Sequence, residues 1–452
     1  MIEEKRFSSF SISEMLGEEG FACSCGRRHA TKVRAIAAEG GAFELLPALL
    51  RERGAARPFI LEDANTGAAA GGRAAALLER AGIRPVRFTY PQALVEPDEA
   101  SVGQAVLAFD RRCDYVVAVG TGTLNDIGKI LARTAGLPLA IVATAPSMDG
   151  FASATSSMIS NGLKVTIDSA CPELVLADLD ILSAAPERML KAGLGDMLAK
   201  YVSICDWRIA HIVTGEYYCE EIAALVRRSL TKCVGAAEGL FRREPEAAAA
   251  VLEGLVLSGM AMGFAGVSRP ASGVEHYISH IWDMRSLERG AAGDLHGIQV
   301  GIGTIMALRA YDLLRKVSPD RDRALAAAAD FRYGDWERVL RGNLGASAEG
   351  LVRNEAREGK YSLAGHAARL ERIIARWPEI LAVIDEELPP AGEVERLMRS
   401  FGMPVSPTEI GIGEDEARFA FLASKDIRDK YVATRLLWDL GILEDVAGKL
   451  AF

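Results

Sequence analysis

Positive charge is in deficit along this chain: 52 Lys and Arg stand against 61 Asp and Glu, a formal net charge of −9. Nucleic acid and anionic membrane surfaces require a basic patch, so neither is expected as the main partner. No secretory leader is expected either, because MIEEKRFSSFSISEML has no basic start followed by an apolar run; the expected compartment is the cytoplasm. Cysteine is sparse and irregular. The seven residues at 23, 25, 113, 171, 205, 219 and 233 are odd in number and without regular spacing, which argues against a disulfide framework. Only Cys23 and Cys25 lie close, in FACSCGRRH, where His29 completes C-x-C-x3-H. That supplies three ligands for a structural zinc, but no fourth follows nearby and the cysteine spacing is atypical, so a polar surface turn is the expectation.

Long apolar runs are almost absent. The exception, AAAAVLEGLVLSGMAMGFAGV at 247–267, reaches the length of a membrane span. Glu253 interrupts it, Gly and Ala dominate it, and no second span accompanies it, so a buried core helix is expected.

What is present is enough apolar material for a large core: 50% hydrophobic residues in 452, with 25% charged. From residue 57 to about 182, strand-like and helical runs alternate. RPFILED, RPVRFTY, DYVVAVG and PLAIVATAP read as strands, separated by TGAAAGGRAAALLERAG, DEASVGQAVLAFDRR and LNDIGKILARTAG as helices. Such alternation implies an open parallel sheet built through right-handed crossovers. SSMISNGLKVTI then predicts a hairpin at Asn161-Gly162, followed by a strand over PELVLADLDIL. After Pro186 the 3.6-residue period takes over up to the C-terminus. The expected architecture is therefore α/β, a Rossmann-like open parallel sheet over 1–185, followed by an all-helical domain over 186–452.

Six stretches carry chemistry. In VVAVGTGTLNDIGKI, Gly120 and Gly122 let the chain turn from a strand into a helix whose N-terminus suits a phosphate; alone, it is equally well an ordinary β-α turn. Asp63, ending an earlier strand in ILEDANTG, is placed to bond a ribose diol and repel a 2′-phosphate, which favours NAD over NADP. In ATAPSMDGFASATSS, Thr144, Ser147, Asp149 and Ser153 crowd a loop at the sheet's carboxyl edge, where ligands are held; a Ser/Thr-rich helix entry is the blander reading. Only six histidines occur. His276 and His280 sit four apart in SGVEHYISHIWD, His296 follows in GDLHGIQVG, and Asp196 stands in GLGDMLAKY. A lone histidine is more often structural, but two imidazoles and a carboxylate suit a Zn²⁺, Fe²⁺ or Ni²⁺ ion with one position open.

GTGTLNDIGK, TAPSMDGFAS, GLGDMLAK, SGVEHYISH and HGIQVGIGT, in that order, with the tail IGIGEDEARFAFLASKDIRDKYVATRLLWDLGIL, resemble the glycerol-1-phosphate dehydrogenases, especially the bacterial AraM-like branch. These belong with the iron-containing alcohol dehydrogenases and dehydroquinate synthases. The resemblance spans roughly residues 20 to 445. It implies that Gly122, Thr123, Leu124, Asn125 and Asp126, with Thr144, Ala145, Pro146 and Ser147, line the NAD site, and that Ser153 touches the cofactor. It implies Asp149 on the substrate, Asp196, His276 and His296 on a divalent metal, Asp196 also near the substrate, and His280 on the substrate side. The Asp126 carboxylate is left with three destinations: nicotinamide, ribose or the helix cap.

The implied reaction is NADH-dependent reduction of dihydroxyacetone phosphate to sn-glycerol 1-phosphate, and its reverse. His280 is the candidate proton donor, while Arg428 and Lys430 are candidates for the substrate phosphate. Competing readings are a glycerol or polyol dehydrogenase on the same scaffold and a non-catalytic NAD-binding relative. A homodimer is the expected assembly.

Overall fold

A computed structural model describes residues 6–92, 94–161 and 163–452. The first five residues of the stretch read for a leader, and Gly162 of the expected Asn-Gly turn, lie outside the described residues. Ten strands occur among the described residues, in chain order: β1 (Phe21–Ala22), β2 (Arg28–His29), β3 (Ala35–Glu39), β4 (Pro58–Glu62), β5 (Val86–Thr89), β6 (Tyr115–Gly120), β7 (Leu139–Ala143), β8 (Thr155–Ser160), β9 (Leu163–Asp168) and β10 (Leu174–Asp178). Six of them form one parallel sheet in the order β3-β10-β7-β6-β4-β5.

Burial explains why those segments are strands. Every residue of β4, β6, β7 and β10 is buried, as a parallel sheet covered on both faces requires, so their sequences run apolar rather than alternating. Leu46, Leu50, Ile60, Leu78, Val117, Val142 and Leu176 form the core on one face. β8 and β9 pair antiparallel, Thr155 opposite Asp168 through Ser160 opposite Leu163, and Asn161 takes φ 52° at the turn. The expected hairpin is therefore present. The strand expected over PELVLADLDIL is shorter: it stops at Asp178, whose carboxylate accepts the Asp180 N–H at 3.1 Å and starts a short helix, Leu179–Ser183.

The described chain forms two compact units, one running up to Met197 and including Glu220–Ser268, the other comprising Leu198–Cys219 and Arg269–Phe452. The sequence suggests a single division at 185/186; along the chain, residues 220–268 instead return to the first unit. The physical reason is the apolar run. As the Pro245–Ala265 helix it packs on the Glu220–Phe241 helix, the Gly150–Ala152 turn and β3, so it belongs with the sheet. It is the only described helix long and apolar enough to cross a bilayer, and 78% of its apolar window is buried inside the protein.

The second unit has no strand among the described residues. In it the Val274–Glu288 and His296–Leu314 helices pack closely, and a Cβ on Gly303 would stand 2.6 Å from the Glu275 carbonyl oxygen. The glycines of HGIQVGIGT thus include one demanded by a helix crossing.

In the first unit, Gly193 of the Glu187–Leu198 helix meets the Pro146 carbonyl oxygen so closely that a Cβ would lie 1.8 Å from it. Backbone cannot swing aside as a side chain can. Gly193→Ala is expected to lower stability by roughly 1–3 kcal/mol, read as an earlier urea midpoint; an unchanged midpoint would mean that the Pro146 loop yields freely.

Candidate active site

In the first unit, the strand order reverses at β4 and β6. From β4 the chain steps outward to β5, then returns past β4 to β6 and proceeds the other way through β7 and β10. The carboxyl ends of strands at such a reversal are where open α/β sheets hold dinucleotides. Asp63 follows β4 there, and the glycine turn follows β6.

That turn is built around Leu124. A Cβ on Gly120 would lie 2.6 Å from the Leu124 side chain, and its φ of 157° adds to the requirement for glycine. The helix Gly122–Ala135 then starts with the Asn125 N–H on the Thr121 carbonyl at 2.8 Å. Gly122, Thr123 and Leu124 thus occupy the first turn, whose N–H groups suit an anion. Asn125, fully buried, donates from Nδ2 to the Gly150 carbonyl at 3.2 Å. Asp126 Oδ2 accepts the Ser157 N–H at 3.0 Å on β8, and Oδ1 lies 3.9 Å from the Lys129 ammonium. An extended strand presents unpaired N–H groups, and the carboxylate reaches one of them.

Asp63 caps the helix that follows it, accepting the Thr66 N–H at 2.7 Å. Its neighbour Glu62 is wholly buried, ion-paired to Arg87 and bonded by the Thr89 hydroxyl. Thr144, Ala145, Pro146 and Ser147 are all buried after β7, with the Thr144 N–H on the Gly120 carbonyl at 3.3 Å.

Lys129 escaped the reading of the sequence. Its side chain has no solvent exposure, and its ammonium donates to the Gly150 carbonyl, to Ser153 Oγ at 2.9 Å and to the Thr155 carbonyl at 3.2 Å. Burial pulls it below the usual lysine range, and Asp126 opposes that shift. The detectable signal was its spacing, since Asn125 and Lys129 stand four apart and both reach the same loop carbonyl. Ser153 consequently spends its hydroxyl on Lys129 and on the Gly150 and Thr155 carbonyls.

Further along that loop, the Asp149 N–H donates to Asp196 Oδ2 at 2.9 Å, and Asp149 Oδ2 accepts the Ser258 hydroxyl at 2.8 Å. Asp196 is completely buried. Ser258 was hidden in the apolar run, where a single hydroxyl gives no periodic signal.

In the second unit, His276 and His280 lie on the Val274–Glu288 helix and His296 opens the next one. Ring centroids are 5.1 Å apart for His276 and His296, 6.2 Å for His280 and His296, and 6.5 Å for His276 and His280. His276 Nδ1 lies 2.8 Å from Glu275 Oε1. When Glu275 is ionised its carboxylate can only accept, so Nδ1 carries the proton and Nε2 is the nitrogen suited to a metal. Glu275 is pushed up to about 7 by burial, against the stabilising Gly273 N–H, Lys200 and Lys430. Asp206 beneath it is likewise pushed up to about 7, by burial and then by the Glu275 charge. Asp206 nevertheless accepts the Tyr311 hydroxyl and the Val274 and Ala433 N–H groups. Asp196 of the first unit and His276 and His296 of the second are each of a residue type that can hold a metal ion.

Of the two basic candidates for the phosphate, Lys430 donates to the Ser272 carbonyl at 3.0 Å and lies over the Tyr277 ring. Burial holds it well below the lysine range, with Arg269 and Arg428 pushing the same way. Arg428 is half-buried.

Residues 37–186 match the family described as iron-containing alcohol dehydrogenase. A glycerol-1-phosphate dehydrogenase (NAD(P)+) of Bacillus licheniformis is 32% identical over 432 residues, covering 95% of this chain and 94% of its own length. The protein of the same name from Halalkalibacterium halodurans is 30% identical over 402 residues, 87% of this chain and 90% of its own. In fold, an archaeal alcohol dehydrogenase from a Red Sea brine pool superposes with a TM-score of 0.59 at 14% identity, over 93% of this chain and 98% of that one. With such kinship running through almost its whole length, on the fold of the iron-containing alcohol dehydrogenases, the chain belongs to the glycerol-1-phosphate dehydrogenase family of oxidoreductases.

Proposed function

We propose that this chain reduces dihydroxyacetone phosphate to sn-glycerol 1-phosphate with a nicotinamide cofactor, reversibly, using one divalent ion held by Asp196, His276 and His296. The observation that carries the proposal is the approach of His276 to His296, ring centroids 5.1 Å apart, with Glu275 against His276 Nδ1; two imidazoles with the Asp196 carboxylate make the donor set that suits Zn²⁺, Ni²⁺ or Fe²⁺. The names of its relatives, glycerol-1-phosphate dehydrogenase (NAD(P)+), support the substrate and the cofactor class.

Bound in that set, a divalent ion supplies Lewis acidity toward a carbonyl oxygen, while the nicotinamide supplies hydride. The protein's own residues position and protonate. Glu275 holds the His276 ring so that Nε2 is the ligating nitrogen, and the Asp149 N–H orients the Asp196 carboxylate. His280, beside the other two imidazoles, delivers the proton to the developing alkoxide. Asp149 meets the substrate hydroxyls. On the cofactor side, the first turn of the Gly122–Ala135 helix receives the diphosphate, flanked by Thr144 to Ser147 and by Ser153. Asp63 faces the adenosine ribose and favours NAD over NADP, and Lys430 and Arg428 are assigned to the substrate phosphate.

The deciding assay is NADH oxidation by purified, metal-loaded protein with dihydroxyacetone phosphate beside dihydroxyacetone. Faster turnover of the phosphate, giving the sn-1 product, is expected; preference for dihydroxyacetone would make this a polyol dehydrogenase. His280→Ala is expected to lower kcat by roughly 10²–10⁴-fold with the ion retained, and loss of the ion would make His280 a ligand. Glu275→Gln is expected to weaken metal affinity by about 10–100-fold, whereas His276→Ala abolishes retention and activity together. Metal content by mass spectrometry after dialysis checks both.

A further inference from the structure

The reaction leaves one donor cluster unexplained. Cys23, Cys25, His29 and Cys219 each offer a ligand atom, and these four atoms lie within 4.8 Å of one another. Reading the sequence stopped at three ligands because Cys219 is far downstream. It directly precedes the Glu220–Phe241 helix, whose residues already meet the N-terminal segment: Glu221 accepts the Ser8 N–H at 3.1 Å and Arg228 donates to the Phe10 carbonyl at 2.8 Å.

The hairpin is shaped for ligation. β1 and β2 pair Phe21 with His29 and Ala22 with Arg28, and the connecting turn closes through Cys23 N–H to the Arg27 carbonyl and Gly26 N–H to the Cys23 carbonyl, both 3.0 Å. Gly26 takes φ 82°, as that turn demands. The Cys25 N–H points at Cys23 Sγ from 3.4 Å, and Cys25 Sγ is 3.4 Å from His29 Nε2. A tetrahedron with zinc–sulfur and zinc–nitrogen bonds of ordinary length has edges of about 3.6–3.8 Å, so small shifts complete it.

His29 is prepared for the role. Its ring is 1% exposed among Phe7, Phe21 and Phe264, and Nδ1 lies 2.9 Å from the Phe264 carbonyl. A carbonyl only accepts, so Nδ1 is protonated and Nε2, the nitrogen facing the sulfur, keeps its lone pair. Burial also holds the ring below the usual histidine range, against the Phe264 carbonyl.

We propose that Cys23, Cys25, His29 and Cys219 bind a structural zinc ion, which fastens the β1–β2 hairpin to the start of the Glu220–Phe241 helix. Four protein ligands leave no open position, which separates this site from a catalytic one. The three thiols release their protons to solvent on binding, so the filled site carries one net negative charge from three thiolates and Zn²⁺. Thiolate-rich tetrahedral donors select zinc over the hard cations.

The test uses the full-length protein reconstituted with cobalt. The Asp196, His276 and His296 set contains no sulfur, so thiolate-to-cobalt charge-transfer absorption reports this cluster alone, whatever becomes of the proposed reaction. The parent is expected to show that absorption and to retain one zinc equivalent against a chelator; Cys25→Ser and Cys219→Ser each lose both. No charge-transfer band in the parent would overturn the proposal. So would a full band in Cys219→Ser, or a disulfide among these cysteines in mass spectra of the purified protein. Should a serine variant fail to fold, the parent spectrum still decides.

Discussion

A buried ammonium must find oxygen, and much of the sheet unit is arranged around that demand at Lys129. With no solvent to turn to, the side chain collects the Gly150 and Thr155 carbonyls and the Ser153 hydroxyl. The loop after β7 is thereby drawn onto the helix that begins at Gly122. Asn125 adds a second bond to the Gly150 carbonyl from the same helix face. One consequence is local and chemical: Asp149, between Pro146 and Gly150, presents its N–H to Asp196 and its carboxylate to Ser258. Another concerns Asp126, which serves the β8 backbone.

The helical unit meets the opposite demand, for negative charge kept under an imidazole. Glu275 and Asp206 are both buried, both raised toward neutrality, and both bonded by backbone N–H groups near the start of the Val274–Glu288 helix. The Glu275 charge is stabilised by Lys200 and Lys430. This arrangement fixes which nitrogen of His276 faces outward, a choice that the identity of the residue alone leaves open. Three imidazoles with ring centres 5.1 to 6.5 Å apart are told apart by such partners.

Periodicity carried the sheet because the strands β4, β6, β7 and β10 are buried on both faces and so write unbroken apolar runs; the helices between them write the 3.6 period. The hairpin was legible from its flanking β-prone runs. Less legible was the allegiance of residues 245–265, where the run is apolar all round and no face is marked. Lys129 and Ser258 were missed for a related reason: a polar group inside an apolar context has no pattern of its own until its partners are known.

By itself, then, the sequence determined the α/β-then-helical order of elements and the glycine turn after β6, because each is written in local spacing; it offered Asp196, His276, His280 and His296 as metal-ligating residue types, among which only the resemblance chose. Only the tertiary structure decided that Asp126 serves β8, that Asp63 caps a helix, that Glu275 sets the tautomer of His276, and that Cys219 joins Cys23, Cys25 and His29. Those are pairings between residues whose separation along the chain carries no period, and hydrogen bonding and ligation act on distance in space.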